Sequence, residues 1–275
     1  MRIRIQPHEF KLLADYVYHL TGIYLDEGKG YLLEYRLSPL LEEYKLNDYE
    51  SFYQRARREG GAVREALISA ITTDETSFFR DKHPYTLLTE KLLPDLIAIK
   101  KERGSREIRV WSAATSRGQE PYSIAMICRE FLEPGRFHLS ILATDISERA
   151  LNYARKGEYS KFELSRGLTL ERLERHFVKV ADTYRVRDEL RDMVTFRKLN
   201  LHEPFLGIQP FDIIFCRNVA VYFTEGDRIK LFTKLSRYLH PWGRMVLGST
   251  ESLVGLLDCF KARLYNGCYY YDLNP

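Results

Sequence analysis

In residues 1–80, apolar side chains recur at the three- and four-residue spacing of helices. A first helix is predicted from Phe10 to Leu20, with Gly22 as its stop. Three further helices are predicted, and their inward positions are Leu33, Leu37, Leu40, Leu41 and Tyr44, then Tyr49, Phe52, Tyr53 and Ala56, then Val63, Leu67 and Ile71. Each has one apolar side to bury, so the four can pack into a small domain.

Beyond residue 105 the pattern changes to short apolar strands that alternate with helices. The predicted strands are 108–114, 139–145, 193–201, 211–219 and 243–250. Helices are predicted from Glu120, from Ser147 and after Thr224, which is a helix-capping residue type. This alternation is typical of a mostly parallel sheet that helices cover on both faces.

Composition excludes several classes of protein. No apolar run approaches the roughly 20 residues of a membrane helix, and the start lacks the apolar stretch of a secretory signal. A formal net charge of +4 is too mild for a general nucleic-acid binder. The four cysteines have no CxxC spacing, and no metal-ligand cluster is visible. We therefore expect a cytoplasmic protein with no nucleic-acid partner, no membrane insertion and no metal.

Polar residues cluster where the predicted strands end. They are the segment 112–120, Asp145, Asn200, Arg217 and Asn218. The carboxyl ends of parallel strands meet at one edge of a sheet, and ligands bind in the crevice there. Packing alone does not explain four polar strand ends, so a ligand site is predicted at this edge.

The segment WSAATSRGQEPYSIAM (111–126) indicates the kind of ligand. It lacks the G-x-G-x-x-G of dinucleotide sites and the lysine of a phosphate-binding loop. Asp145 can accept from both hydroxyls of a ribose, and Glu120 can bind an ammonium. These features favour a nucleoside without a phosphate chain, of which S-adenosylmethionine is the common example. Taken alone, Asp145 is only moderately specific, because such a residue often caps the following helix.

With these residues assembled, the chain closely resembles the CheR family of chemotaxis receptor methyltransferases. These enzymes esterify glutamate side chains with S-adenosylmethionine. The matching motifs are ITTDETSFFRD (71–81), WSAATSRGQEPYS (111–123), ILATDIS (141–147), KLNL (198–201), FCRNVAVYF (215–223) and GSTESL (248–253). Their order and spacing are specific to the family.

The resemblance implies an α/β fold with a Rossmann-like methyltransferase sheet. An amino-terminal helical domain would cover residues 1–80, and the methyltransferase domain would cover 81–275. A small antiparallel β subdomain is expected as an insertion within about 159–192. This insertion is compact, which argues against docking of a receptor tail peptide.

The resemblance also implies the residues of the site. The family positions that contact S-adenosylmethionine, and its product S-adenosylhomocysteine, match Asp74, Thr76, Arg80, Glu120, Asp145, Asn200, Leu201, Arg217 and Asn218. Arg80 and Tyr222 match the pair beside the transferable methyl group, so both are candidate catalytic residues.

Two positions depart from the family pattern. Asp74 stands where asparagine is usual, and its carboxylate is able to repel an acidic substrate. Ala220 replaces a large apolar residue, which predicts a wider substrate side of the pocket.

The expected partner is the cytoplasmic domain of a chemoreceptor, bound by a monomer of this chain. Arg36 and Lys45 of the second helix, with Arg55, Arg57 and Arg58 of the third, can form a basic face for an acidic receptor helix. The alternative is an ordinary solvated face, because residues 1–70 are not basic overall.

Three functions fit the sequence. The first is a protein-glutamate O-methyltransferase, which needs no strong base because a glutamate with a pKa of about 4.3 is already ionised. The second is a cofactor-binding regulatory or scaffold protein without turnover, which Asp74 and Ala220 favour. The third is a methyltransferase for a small carboxylic acid.

Overall fold

The computed structural model describes residues 3–133 and 135–274. Within them, the amino-terminal part is a bundle of four helices. They are α1 (Pro7–Thr21), α2 (Gly30–Tyr44), α3 (Tyr49–Glu59) and α4 (Gly61–Ile71). Their apolar sides meet in one core that includes Leu13, Leu33, Leu37, Phe52 and Leu67. The four predicted helices are confirmed.

Single residues set two ends of these helices. Gly22 follows α1 in the left-handed conformation, with a φ of 76°, and its N–H donates to the carbonyl of Tyr18. The carboxylate of Asp48 accepts a hydrogen bond from the N–H of Ser51 at 2.7 Å and starts α3. The stop at Gly22 is the one that the sequence predicted.

The remaining helices and all of the strands belong to the second part of the chain. The helices are α5 (His83–Leu87), α6 (Leu93–Glu102), α7 (Gln119–Phe131), α8 (Glu148–Lys156), α9 (Lys161–Ser165), α10 (Leu170–His176), α11 (Asp188–Arg191) and α12 (Glu225–Ser236). The strands are β1 (Glu107–Ala113), β2 (His138–Asp145), β3 (Glu158–Ser160), β4 (Phe177–Val180), β5 (Thr183–Val186), β6 (Val194–Lys198), β7 (Phe211–Cys216), β8 (Leu239–Leu247), β9 (Phe260–Tyr265) and β10 (Cys268–Leu273). None of the helices within residues 3–133 and 135–274 has both the length and the apolar composition that spanning a bilayer requires.

The large sheet has the strand order β6-β2-β1-β7-β8-β10-β9. Its first five strands are parallel, whereas β10 is antiparallel to both β8 and β9. The five predicted strands are confirmed, with the last three ending earlier than predicted, at Lys198, Cys216 and Leu247, and the fifth also beginning earlier, at Leu239. The hairpin of β9 and β10 was not predicted.

Helices cover both faces of the sheet, as predicted. Strand β1 shows the alternation, because Ile108 and Val110 pack into one core and Trp111 and Ala113 pack into the core on the other face. The apolar side chains of β1 thus point alternately to the two faces of the sheet.

The smaller sheet is antiparallel, with the order β3-β5-β4. It lies between α8 and β6 in the chain, together with the short helices α9, α10 and α11. The predicted inserted β subdomain is therefore present. The domain boundary at residue 80 stays a prediction, and it falls in the irregular segment 72–82 between α4 and α5.

Hydrogen bonds join the helical bundle to the sheet domain. The hydroxyl of Tyr18 donates to Asp227 at 2.7 Å, and the N–H of Tyr24 donates to the carbonyl of Tyr222 at 2.9 Å. The end of α1 therefore lies against the carboxyl edge of the sheet.

A buried ion pair stabilises the opposite edge. Lys100 of α6 lies 2.8 Å from Asp212 of β7, and neither side chain is more than 5% exposed. Asp212 also accepts hydrogen bonds from the N–H of Arg109 and from the indole of Trp242. A buried carboxylate that loses its cation has a large desolvation cost.

We expect Lys100→Met to lower the free energy of unfolding by about 3 kcal/mol, because it leaves Asp212 buried without a countercharge. Lys91→Met is the matched control, since Lys91 forms an exposed i,i+4 pair with Asp95 and its loss should cost less than about 1 kcal/mol. Urea denaturation at equilibrium measures both values. Equal effects of the two substitutions would contradict this account of the buried pair.

Candidate active site

A cavity of about 240 Å³ lies at the carboxyl edge of the large sheet. Three parts of the chain line it: the strand ends, the segment 72–82 and the end of the helical bundle. Every predicted site residue contributes to its wall, namely Asp74, Thr76, Arg80, Glu120, Asp145, Asn200, Leu201, Arg217, Asn218 and Tyr222. The sequence motifs therefore converge on one crevice.

The turn after β1 has an unusual backbone. Ala114, Ser116 and Gly118 all have positive φ angles, of 61°, 52° and 90°. Only glycine fits the third position, because a Cβ there would lie 2.8 Å from the Cβ of Ala154 in α8. Left-handed conformations of residues other than glycine are strained and cluster at functional sites. The single glycine thus permits close packing of the turn on α8.

Asp145 ends β2 and fixes that turn. Its two carboxylate oxygens accept from the N–H of Ser116 at 2.7 Å and from the N–H of Ser147 at 2.9 Å. Burial raises the pKa of Asp145 to about 6, and the nearby charge of Asp74 adds to the increase. The cap of α8 is Ser147, which accepts from the N–H of Ala150. The alternative view of Asp145 as a helix cap is therefore wrong.

Glu120 and Arg217 form a buried ion pair across the crevice. The guanidinium of Arg217 donates to Glu120 at 2.9 Å and to Asp81 at 3.0 Å, and its side chain is 2% exposed. The second oxygen of Glu120 accepts from the hydroxyl of Ser112 at 2.8 Å. Two carboxylates therefore share one cation, which leaves net negative charge at this end of the cavity.

Asp74 is paired with two arginines. Its carboxylate accepts from Arg149 of α8 at 2.8 Å and lies 3.8 Å from Arg117. Arg117 in turn lies 3.7 Å from Glu163 of the inserted subdomain. The charge that Asp74 adds to the family pattern is thus compensated by the two arginines. Asp74 therefore presents no unpaired carboxylate that would repel an acidic substrate.

Ala220 does not widen the crevice, and that prediction is wrong. The residue is 1% exposed, packs into the core beneath the sheet and is absent from the cavity wall. It opens a short 3₁₀ turn that directs its methyl group inward and leaves Val221 and Tyr222 exposed. Its small size affects core packing instead of the substrate side.

Arg80 and Tyr222 are less constrained than the other side chains. The guanidinium of Arg80 donates to the carbonyl of Glu75 at 3.0 Å, and it takes part in none of the ion pairs found in the described part of the chain. Tyr222 is 40% exposed at the mouth of the cavity. Arg80 therefore keeps donors available for a carboxylate.

The asparagines have different roles. The amide of Asn200 donates to the carbonyl of Leu20 at 2.8 Å and accepts from the N–H of His202, so it ties α1 to the sheet edge. Asn218 has a φ of 57° and follows β7 in a left-handed turn. Both side chains line the cavity, but only Asn218 is free of a bond to the helical bundle among the bonds seen in residues 3–133 and 135–274.

The helical bundle contributes residues that the sequence analysis missed. Tyr24, Lys29 and Leu32 line the same cavity. Arg36 also lines it, and its guanidinium binds the carbonyl of Ile71 at the end of α4. Arg36 therefore does not belong to the predicted basic face of the bundle. The signal available in the sequence was the polar, glycine-containing connection before α2, which packing alone does not require.

These residues fit S-adenosylmethionine. At the strand ends the cavity offers the carboxylates of Glu120 and Asp145, and Arg217 is neutralised there by its two acidic neighbours. On the bundle side, Lys29 lies 3.0 Å from Asp26 and Arg36 binds the carbonyl of Ile71. Such a site suits an ammonium and ribose hydroxyls and does not suit a chain of phosphates.

Comparison with known families gives the same result. Residues 74–265 match the CheR methyltransferase, SAM binding domain, and residues 8–72 match the CheR methyltransferase, all-alpha domain. The chain is thus an S-adenosylmethionine-binding methyltransferase.

Curated relatives match over nearly the whole chain. The chemotaxis protein methyltransferase 1 of Vibrio cholerae is 39% identical over 94% of this chain and 94% of its own. That of Pseudomonas aeruginosa is 36% identical over 92% and 93%, and the chemotaxis protein methyltransferase of Borreliella burgdorferi is 37% identical over 93% and 92%. This chain belongs to the CheR methyltransferase family.

Proposed function

We propose that this protein transfers a methyl group to glutamate side chains in the cytoplasmic helices of a chemoreceptor and forms methyl esters. One observation supports it above the others. At the crevice that fits the cofactor, Arg80 has no carboxylate partner within the described residues, while Glu120 is paired with Arg217 and Asp74 is paired with Arg149. The relatives named as chemotaxis methyltransferases support the same acceptor class.

Glu120 and Asp145 are proposed to hold the cofactor from its two ends. Glu120 would bind the ammonium of the methionyl tail, and Asp145 would accept from the ribose hydroxyls. When bound, S-adenosylmethionine supplies a methyl group on a positively charged sulfur. The tight turn from Ala114 to Gly118 would lie against the nucleoside, since its small residues leave the backbone accessible.

Arg80 and Tyr222 are proposed to orient the acceptor. The planar fork of Arg80 can donate two hydrogen bonds to one carboxylate, and the hydroxyl of Tyr222 can donate another. A glutamate with a pKa of about 4.3 needs no base at neutral pH, so alignment is the main task of the site. Holding reactants in position can remove about 7 to 11 kcal/mol from a barrier.

Asp74 and Ala220, the two features that favoured a scaffold without turnover, no longer support that function. The extra charge of Asp74 is paired with Arg149 and Arg117, and Ala220 lies in the core. Neither departure disturbs the crevice in a way that would prevent transfer. A small carboxylic acid as acceptor remains the alternative that an assay must separate from the receptor.

Part of the predicted basic face is available to a receptor helix. Arg57 and Arg58 are exposed near the end of α3. All three arginines have a local contact: Arg55 pairs with Glu59 at 3.0 Å and lies over the ring of Tyr44, Arg57 donates to the hydroxyl of Tyr53 at 3.1 Å, and Arg58 lies 3.4 Å from Glu59. The side chain of Arg55 is only 32% exposed, against 78% for Arg58. We propose that Arg57 and Arg58 attract the acidic receptor helix and that Arg55 mainly braces α3.

The main test is transfer of labelled methyl groups from the cofactor to purified receptor cytoplasmic fragments. We expect base-labile label on receptor glutamates, and we expect Arg80→Ala to lower kcat about 100-fold, because a misplaced acceptor loses the advantage of alignment. Arg136→Ala, which removes an exposed arginine paired with Glu133, is the matched control. Tight binding of S-adenosylhomocysteine without transfer would favour the scaffold, and label on small acids alone would favour the third function.

The pH dependence of cofactor binding should report the pKa of Asp145. Only the ionised carboxylate accepts from both ribose hydroxyls, and its pKa in the free protein is about 6. Binding therefore weakens as the pH falls through that value, and affinity for S-adenosylhomocysteine at pH 5 should be about tenfold lower than at pH 8. Calorimetric titration with S-adenosylhomocysteine at each pH measures this affinity. Asp145→Asn should bind weakly at every pH, and a variant that kept the full slope would refute the assignment.

Replacement of Arg57 and Arg58 by alanine should raise KM for the receptor fragment about threefold to tenfold at low salt and leave cofactor affinity unchanged, because surface charges act mainly on encounter. The control is Lys101→Ala with Arg106→Ala. These residues are exposed and lie at the other end of the sheet, at the end of α6 and before β1. If both double variants gave the same KM, α3 would not be the docking face.

A further inference from the structure

Glu251 lies in the GSTESL motif after β8, at residues 248–253. Its carboxylate accepts hydrogen bonds from four backbone N–H groups. Oε2 accepts from Asn218 at 2.7 Å and from Gly248 at 2.9 Å, and Oε1 accepts from Val219 at 3.0 Å and from Ala220 at 2.8 Å. One side chain thus binds the backbone N–H groups of three consecutive residues, 218–220, in another loop.

The geometry leaves little room for any residue other than glycine at position 248. A Cβ at Gly248 would lie 2.7 Å from Oε2 of Glu251 and 2.8 Å from the side-chain nitrogen Nδ2 of Asn218. Asn218 itself is held in the left-handed conformation, with a φ of 57°. Strained conformations of this kind persist only where surrounding contacts determine them. Glu251 provides these contacts.

The loop that Glu251 holds contains three of the predicted site residues. Arg217 precedes the bound N–H groups, Asn218 is one of them, and the 3₁₀ turn to Tyr222 follows. The N–H of Tyr222 donates to the carbonyl of Val219 at 3.2 Å, so the position of Tyr222 depends directly on the segment that Glu251 binds. Glu251 is absent from the cavity wall.

We propose that Glu251 is a positioning residue for methyl transfer. Its carboxylate fixes Asn218 and Tyr222 relative to the buried Arg217, and it does so without contact with cofactor or acceptor. The inference deepens the proposed function, because Tyr222 is the residue proposed to orient the acceptor.

An ionised carboxylate is required at this position because all four partners are donors. A carboxylate has only acceptor sites, whereas the amide of a glutamine would turn two N–H donors toward backbone N–H groups. Glu251→Gln therefore keeps the shape of the side chain and removes about half of its bonds. A misplacement of the loop by about 1 Å is enough to lower a rate about 100-fold.

The test compares Glu251→Gln with Glu90→Gln. Glu90 also accepts two hydrogen bonds through one oxygen, from Tyr265 and Asn266, but it binds the distant hairpin of β9 and β10. We expect Glu251→Gln to lower kcat for receptor methylation at least tenfold, with KM for the receptor within about threefold. Amide exchange in residues 217–223 should become at least tenfold faster, with no change in residues 260–273. Glu90→Gln should keep the kcat of the unmodified protein.

Gly248→Ala provides a second variant in case Glu251→Gln folds poorly. It displaces the carboxylate without removing any polar atom, and the same loss of kcat and of protection is expected. Unchanged kcat in both variants, or unchanged exchange in residues 217–223, would overturn the inference. If the unmodified protein failed to methylate the receptor, the proposed function would fall, while amide exchange would still test whether Glu251 holds the loop.

Discussion

The buried ion pair between Glu120 and Arg217 is the interaction on which the crevice depends. Glu120 lies in the first turn of α7 and Arg217 directly follows β7. Arg217 also binds the carboxylate of Asp81 and the carbonyl of Arg80 in the segment 72–82. Three pieces of chain that are far apart in sequence therefore meet at one guanidinium. A buried arginine in this position is stable only because its acidic partners are present, so the same contacts that build the site also make it sensitive to change.

Charge is distributed in the crevice so that most acids have a partner. Asp74 is matched by Arg149, and Glu120 is matched by Arg217. Asp145 differs, because it is buried and has no cationic partner among the described residues. Burial raises its pKa, while the backbone N–H groups that it binds act in the opposite direction. A positively charged ligand would restore the balance of this pocket. That requirement agrees with a sulfonium cofactor that also has an ammonium group.

Local signals made much of the fold predictable, and tertiary contacts account for the failures. Capping by Asp48, the stop at Gly22 and the apolar strands are properties of short segments. The inward turn of Ala220 and the role of Arg36 depend on neighbours distant in sequence, and so does the binding of a whole loop by Glu251. The motifs identified which residues gather at the sheet edge, but they could not distinguish a residue that lines the cavity from one that holds the lining in place.

The helical bundle is part of the site and does more than carry a docking face. Its connection between α1 and α2 supplies Tyr24, whose N–H binds the carbonyl of Tyr222, so the same tyrosine is fixed from the bundle on one side and through Glu251 on the other. The backbone of Tyr222, at the mouth of the cavity, is therefore held against the bundle. The bundle also lines the cavity through Lys29, Leu32 and Arg36, so a cofactor-binding sheet alone would leave one wall of the crevice open.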